Sequence, residues 1–201
     1  MTILAEAANT FETFAAPHIV AIAATVLVAA ALPIWARRAG STKLTRTIAW
    51  IIAIVLLVNE FASYPAGPFY DPQHFLTEYL PLHICGTATF LTAWVLIRPN
   101  RYLFEIAFFW GLAGTLQAVL TPNITEGFPS YWFFRFFVTH SGIVVGVAFA
   151  TLGVRQRPGK WAVPRIAILT NLYLCLLPLA NWVLGANYMF LREVPKVDSP
   201  L

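Results

Sequence analysis

The chain has 201 residues, of which 59% are hydrophobic and only 11% are charged. An average soluble domain carries roughly 25% charged residues, so this chain cannot clothe a soluble globule, and it is too apolar to be disordered. Its two cysteines, Cys85 and Cys175, exclude a disulfide-stapled scaffold.

What remains is an all-α, polytopic membrane protein. Six apolar segments are predicted as transmembrane helices of a single domain, at about 18–35, 47–61, 80–97, 103–120, 131–152 and 163–184. Each approaches the ~20 residues that a crossing requires. Helix is expected because backbone inside a bilayer must pair internally. No Lys or Arg precedes Arg37, so the first segment reads as a retained span and not as a signal peptide.

The basic residues set the expected orientation. Arg37, Arg38, Lys43 and Arg46 separate the first two segments; Arg98 and Arg101 separate the third and fourth; Arg155, Arg157, Lys160 and Arg165 lie between or at the edge of the last two. These ten of the thirteen Lys+Arg are predicted to be cytoplasmic. Both termini then face outward, in the cell membrane. The net charge of +4 reflects this topology and implies no nucleic-acid partner.

Polar residues gather in the expected outer half. His18 opens the first span, Asn59 and Glu60 close the second, and His83 and Cys85 open the third. Gln117 ends the fourth, followed by Thr121 and Asn123. Arg135 and His140 lie in the fifth, and Asn181 near the end of the sixth. Ionisable groups in a membrane usually face the bundle interior, so one cavity is expected there. The Pro- and Gly-rich stretch from Ser63 to Tyr79 is placed to cap it, or to be an ordinary interfacial loop. Glu105, by contrast, is expected on the inner side, paired with Arg101 one turn away.

Helical faces refine the expectation. Trp110, Gly114, Gln117 and Thr121 share one face, and Gly111 and Gly114 permit close helix contact. Phe133, Phe136, Phe137 and His140 form a stripe. Asn171, Cys175 and Pro178 share a face, with a kink expected at Pro178. His83 and Cys85 stand about 200° apart on a regular helix. They can face one cavity only if the helix starts after His83, which Pro81 makes feasible.

Four residues are candidate catalytic groups. His140, deep in an apolar span, is the candidate general base. His83, Glu60 and the candidate nucleophile Cys85 accompany it. Arg135 could hold a lipid phosphate. Gln117, Asn123, Asn181, Trp110 and Phe136 are candidate substrate contacts, the amides being equally suited to interhelical hydrogen bonds. Metal would need convergence of His18, His83, His140 and Glu60, and no metal-binding spacing is present. No glycine-rich phosphate loop occurs, so neither metal nor cofactor is expected.

Several stretches carry a family resemblance over essentially the whole chain. These are Pro81-Leu82-His83-Ile84-Cys85, the run Phe109 to Gln117 leading into Leu120-Thr121-Pro122, Phe136-Phe137 before His140, and Asn187-Tyr188-Met189-Phe190-Leu191-Arg192. Together they resemble the YwaF-type bacterial integral membrane proteins. That family is distantly similar to the animal transmembrane protein 164, a multi-span acyltransferase that remodels ether phospholipids. The resemblance implies a membrane-embedded acyl-transfer site acting on membrane lipid, with His140 in the place of the animal histidine. It also marks a departure: the animal motif reads Pro-Cys-His where this chain has Pro81-Leu82-His83. Asn123 stands where aspartate is expected in bacterial relatives. The expected function is therefore a lipid-modifying, acyltransferase-like enzyme. The alternatives are a small transporter or lipid/solute-binding protein, which should show a polar path through both halves, and a structural membrane protein.

Overall fold

The computed structural model describes residues 10–66 and 75–193, with side chains described for all of these except 63–66. Among the described residues the fold is helical, apart from an isolated bridge between Thr10 and Glu126. The helices are α1 (Ala16–Ala39), α2 (Thr42–Ala66), α3 (Ile84–Ile97), α4 (Arg101–Leu120), α5 (Tyr131–Gly153) and α6 (Ala162–Leu184). Five of them, all but α3, are long and apolar enough to cross a membrane.

The third predicted segment is where expectation and structure part. Leu80–Ile97 was expected as one helix, but α3 has 14 residues, about 21 Å at ~1.5 Å per residue. Residues 75–79 form a separate π turn. Pro81 cannot donate to a helical ladder, and His83 is extended at φ −72°, ψ 145°. The helix therefore begins at Ile84.

Local chemistry explains the other boundaries. Asn100 caps α4, its Oδ1 accepting the N–H groups of Tyr102 and Leu103 at 3.0 and 3.1 Å. Ser130 caps α5 by accepting from Phe133 N–H at 3.1 Å. Gly40 and Gly185 end α1 and α6 at φ 62° and 69°, the left-handed region that glycine enters without steric cost. α6 runs continuously through Pro178.

α2, α3 and α5 form the centre, with α1 against α2 and α5, and α4 against α3 and α5. Their buried faces carry Ile52, Ala53, Leu56, Ala88, Val95, Ile143 and Val147. α6 lies outside this centre, against α4 and the 75–79 turn. Most of its apolar side chains point outward; Leu176 and Trp182 are 67% and 77% exposed. An apolar surface of that extent suits lipid rather than water.

The predicted close approach at the glycines of α4 is present. A Cβ on Gly111 would lie 3.0 Å from methyls of Ile143 and Val147, and one on Gly114 would lie 3.4 Å from Ile84. Gly146 is tighter still: its Cβ would lie 2.5 Å from Thr92 Cγ2 and 3.5 Å from Ile52 Cγ2, where α2, α3 and α5 meet. Gly146→Ala is therefore expected to destabilise the fold by about 1–3 kcal/mol, read as a lower melting temperature in detergent. A melting temperature equal to the wild type would refute this view of the packing.

Candidate functional site

A cavity of about 490 Å³ opens at the end of the bundle where α2 and α4 finish and α3 and α5 begin. Glu60 enters it from α2, Cys85 from α3, and Arg135, Phe136, Thr139 and His140 from α5. His83, Glu78 and Tyr79 come from the stretch before α3, and Phe190 from the segment after α6. All four candidate catalytic residues thus line one space.

The late start of α3 lets His83 and Cys85 share that space. His83 sits at the helix cap in extended conformation, outside the helical repeat, so the 200° separation does not apply to it. Gly86 is also required here, because a Cβ on it would lie 3.0 Å from Pro81 Cα. The Cys85 thiol has the Thr115 hydroxyl beside it. Leu82, by contrast, packs with Leu177, Ala186 and Tyr188 and does not line the cavity.

The two histidines present opposite hydrogen-bonding faces. His140 Nδ1 lies 2.8 Å from the Phe136 carbonyl oxygen. A carbonyl only accepts, so Nδ1 carries the proton and, in the neutral ring, Nε2 keeps its lone pair. The ring stacks on Phe136 with centroids 3.9 Å apart. At His83 the polarity is reversed. Met189 N–H donates to His83 Nδ1 at 3.3 Å, so in the neutral ring the proton is on Nε2. The cavity therefore holds a ring that can accept a proton and a ring that can donate a hydrogen bond.

A knot of backbone holds His83 in this state. The Asn181 side chain accepts from Tyr188 N–H at 2.8 Å and donates to Tyr188 O at 2.9 Å, with both residues fully buried. The Tyr188 hydroxyl accepts from Leu80 N–H and donates to Leu76 O at 3.1 and 2.8 Å. Burial raises its pKa to about 12, so it stays protonated and able to donate. Met189 then reaches α3: its Sδ accepts the first helical N–H, from Ile84, at 3.3 Å. Met189 and Phe190 have φ of 58° and 54°, a strained region for residues with a Cβ. The surrounding hydrogen bonds keep them there.

Charge in the cavity is partly matched. Arg135 Nη2 lies 3.9 Å from Glu60 Oε2, and the Arg135 guanidinium sits over Trp132, 5.8 Å from the ring centroid. Asn59 braces this pair by donating to Arg135 O and Thr139 Oγ1 at 3.1 and 2.7 Å. Thr139, Asn59, Tyr188 and Met189 were not among the predicted site residues. Asn59 stands in the polar pattern, and Tyr188 and Met189 stand in the Asn187–Arg192 stretch of the family resemblance, but nothing local shows the contact through which Met189 acts, 105 residues away.

Among the predicted substrate contacts, Asn123 lines the cavity along with Arg135 and Phe136. Three others stand apart from it. Asn181 is committed to Tyr188. Trp110 donates from Nε1 to Thr170 Oγ1 at 2.8 Å, tying α4 to α6. Gln117 donates to the Thr121 hydroxyl at 2.9 Å on an exposed face. His18 also lies elsewhere, with both ring nitrogens engaged by Phe14 N–H and the Val119 carbonyl at 2.9 and 2.8 Å. Among the described residues no group of three or more His, Cys, Asp or Glu is placed to hold a metal ion. Residues 67–74 of the predicted capping loop lie outside the described residues.

A second cavity of about 670 Å³ adjoins the first, sharing Glu78, His83, Asn123 and Phe190 with it. His83 thus stands at the junction.

The model of the TMEM164 family matches residues 13–201. An uncharacterized protein of Treponema pallidum (strain Nichols) is 29% identical over 143 residues, covering 71% of this chain and 59% of that protein. The aligned part thus spans less than two thirds of that relative. No solved structure matches.

Proposed function

Because this chain belongs to the TMEM164 family, we propose that it is a membrane-embedded enzyme that moves a fatty-acyl group between phospholipids. The observation that carries this reading is the convergence of His140, His83, Cys85 and Glu60 on one cavity. In this reading α3 is a sixth crossing, both termini lie outside, and the cavity opens to the outer leaflet of the cell membrane.

The chemistry follows from the two histidines. His140 Nε2 takes the proton of the Cys85 thiol, and the thiolate attacks the acyl carbonyl of a donor lipid. His83 Nε2–H donates to the oxyanion that forms on the carbonyl oxygen. The ester C–O bond breaks, the leaving lyso-lipid oxygen takes the proton from His140, and the acyl group rests on Cys85 as a thioester. An acceptor hydroxyl then gives its proton to His140 and attacks the thioester. The C–S bond breaks, and the thiolate recovers the proton. Arg135 is near enough to bind a lipid phosphate, and Phe136 and Phe190 offer apolar surface to the acyl chain.

Cys85, not residue 82, is the nucleophile in this scheme, because Leu82 is turned into the α6 contact. Cys85→Ala protein reconstituted with an isotope-labelled phospholipid donor and a lyso-phospholipid acceptor is expected to lose transfer by at least ~10²-fold. A wild-type rate in this variant would leave only direct transfer to the acceptor hydroxyl, with His140 as base. Translocation is disfavoured by the buried apolar layer of Ile52, Ala53, Leu56, Ile143 and Val147 between this cavity and the opposite end.

A further inference from the structure

At the opposite end of the bundle, the α1–α2, α3–α4 and α5–α6 turns enclose a separate cavity of about 390 Å³. Arg37, Arg46 and Arg155 line it, and no acidic residue does. Among the described residues none of the three has an ion-pair partner. The contrast with Arg101 and Arg165 is direct, since both are paired with the Glu105 carboxylate. All three residues are exposed, so water weakens their mutual repulsion, and an anion seated between them would relieve what is left. The floor beneath them is apolar and buried: Ala36, Ala49 and Leu96 are at most 4% exposed.

Arg155 adds a second line of argument. It follows α5, where Val154 N–H bonds to Phe149 O and Gln156 N–H to Ala150 O, each at 2.9 Å. Arg155 itself has φ 68°, the left-handed position that usually ends a helix on glycine. α1 and α6 do end that way, on Gly40 and Gly185. At α5 an arginine occupies a conformation that disfavours any Cβ, and its charge lies against the cavity. The α2 N-terminus is not what recommends the place, because the Ser41 hydroxyl already accepts the Leu44 N–H at 3.2 Å.

We infer that this cavity binds the phosphate of an anionic phospholipid, held by Arg37, Arg46 and Arg155, with its glycerol and first acyl carbons on the apolar floor. Guanidinium groups match phosphate oxygens bidentately. The apolar floor favours a lipid over free phosphate. This site is independent of the acyl-transfer reading.

Full-length protein in detergent, offered equal phosphatidylglycerol and phosphatidylcholine, tests it by native mass spectrometry. The wild type is expected to retain phosphatidylglycerol selectively. Each arginine removed, in Arg37→Ala or Arg46→Ala, should lower that retention about tenfold. Arg157→Ala, in the same loop but outside the cavity, should leave it unchanged. Arg155→Gly is the discriminating variant: it should lower retention while raising the melting temperature, because glycine relieves the strained backbone. Equal loss in Arg157→Ala, or undiminished retention in Arg155→Gly, would overturn the site. A parallel titration with inorganic phosphate separates the sources. Phosphate that binds in an arginine-dependent way, without selectivity for phosphatidylglycerol, would overturn the lipid assignment.

Discussion

A His140→Ala protein is expected to insert and fold as the wild type does and to transfer acyl groups about 10²–10⁴-fold more slowly, the usual contribution of a general base. The separation of fold from activity follows from what the side chain does. Among the described residues its one hydrogen bond is to Phe136 O, on its own helix, so its removal costs about 1 kcal/mol. Its Nε2 has no partner among the described residues, and the residue lines the cavity with Cys85. The measurement is the phospholipid acyl profile of cells carrying either protein at equal membrane abundance, backed by the reconstituted transfer assay. Partial recovery of His140→Ala on adding imidazole would identify the missing group as a base. Indistinguishable acyl profiles and transfer rates would sink the assignment.

Glu105→Gln is expected to lower stability by about 3 kcal/mol, far more than a surface charge change. The carboxylate is fully buried. It accepts from Arg165 Nε and Nη2 at 3.0 and 3.1 Å, from Gly159 N–H at 3.0 Å and from Arg101 Nε at 3.4 Å. One side chain thus ties α4 to α6 and to the α5–α6 turn. The amide keeps the shape but loses the charge, leaving Arg165 without its counter-ion. The melting temperature and the protease sensitivity of the α5–α6 turn report the loss. Arg165→Ala should be the more damaging of the two arginine variants. The Arg101 side chain is 58% exposed, where an ion pair contributes little. Equal effects of the two would contradict this ranking.

Glu105 illustrates how far local reasoning reached. The spacing of Arg101 and Glu105 predicts a pair, and the pair is present. The stronger partner, Arg165, is 60 positions along the chain, and no periodicity links the two. The same holds at the candidate site. The crowding of polar residues near one set of helix ends marked out the cavity, and seven of the ten predicted residues line it: His140, His83, Cys85, Glu60, Arg135, Asn123 and Phe136. Asn181, Trp110 and Gln117 looked no different by residue type or depth. They were assigned elsewhere by partners on other segments, Tyr188 and Thr170, or by rotation to an exposed face.

Composition and spacing are enough to establish an all-helical membrane chain, where its apolar segments lie, how its basic residues divide between their ends, and at which end a polar site should be sought. Those properties are local, since each depends on composition and spacing within about 20 residues. Long-range packing set the start of α3 at Ile84, so that His83 and Cys85 face one cavity. It also decided that His83 is a donor and His140 an acceptor, and that Leu82 turns away. These depend on which distant groups meet: Met189 lies 106 residues from the ring it orients. A hydrogen-bond partner chosen by packing leaves no trace in the spacing of the residues it joins.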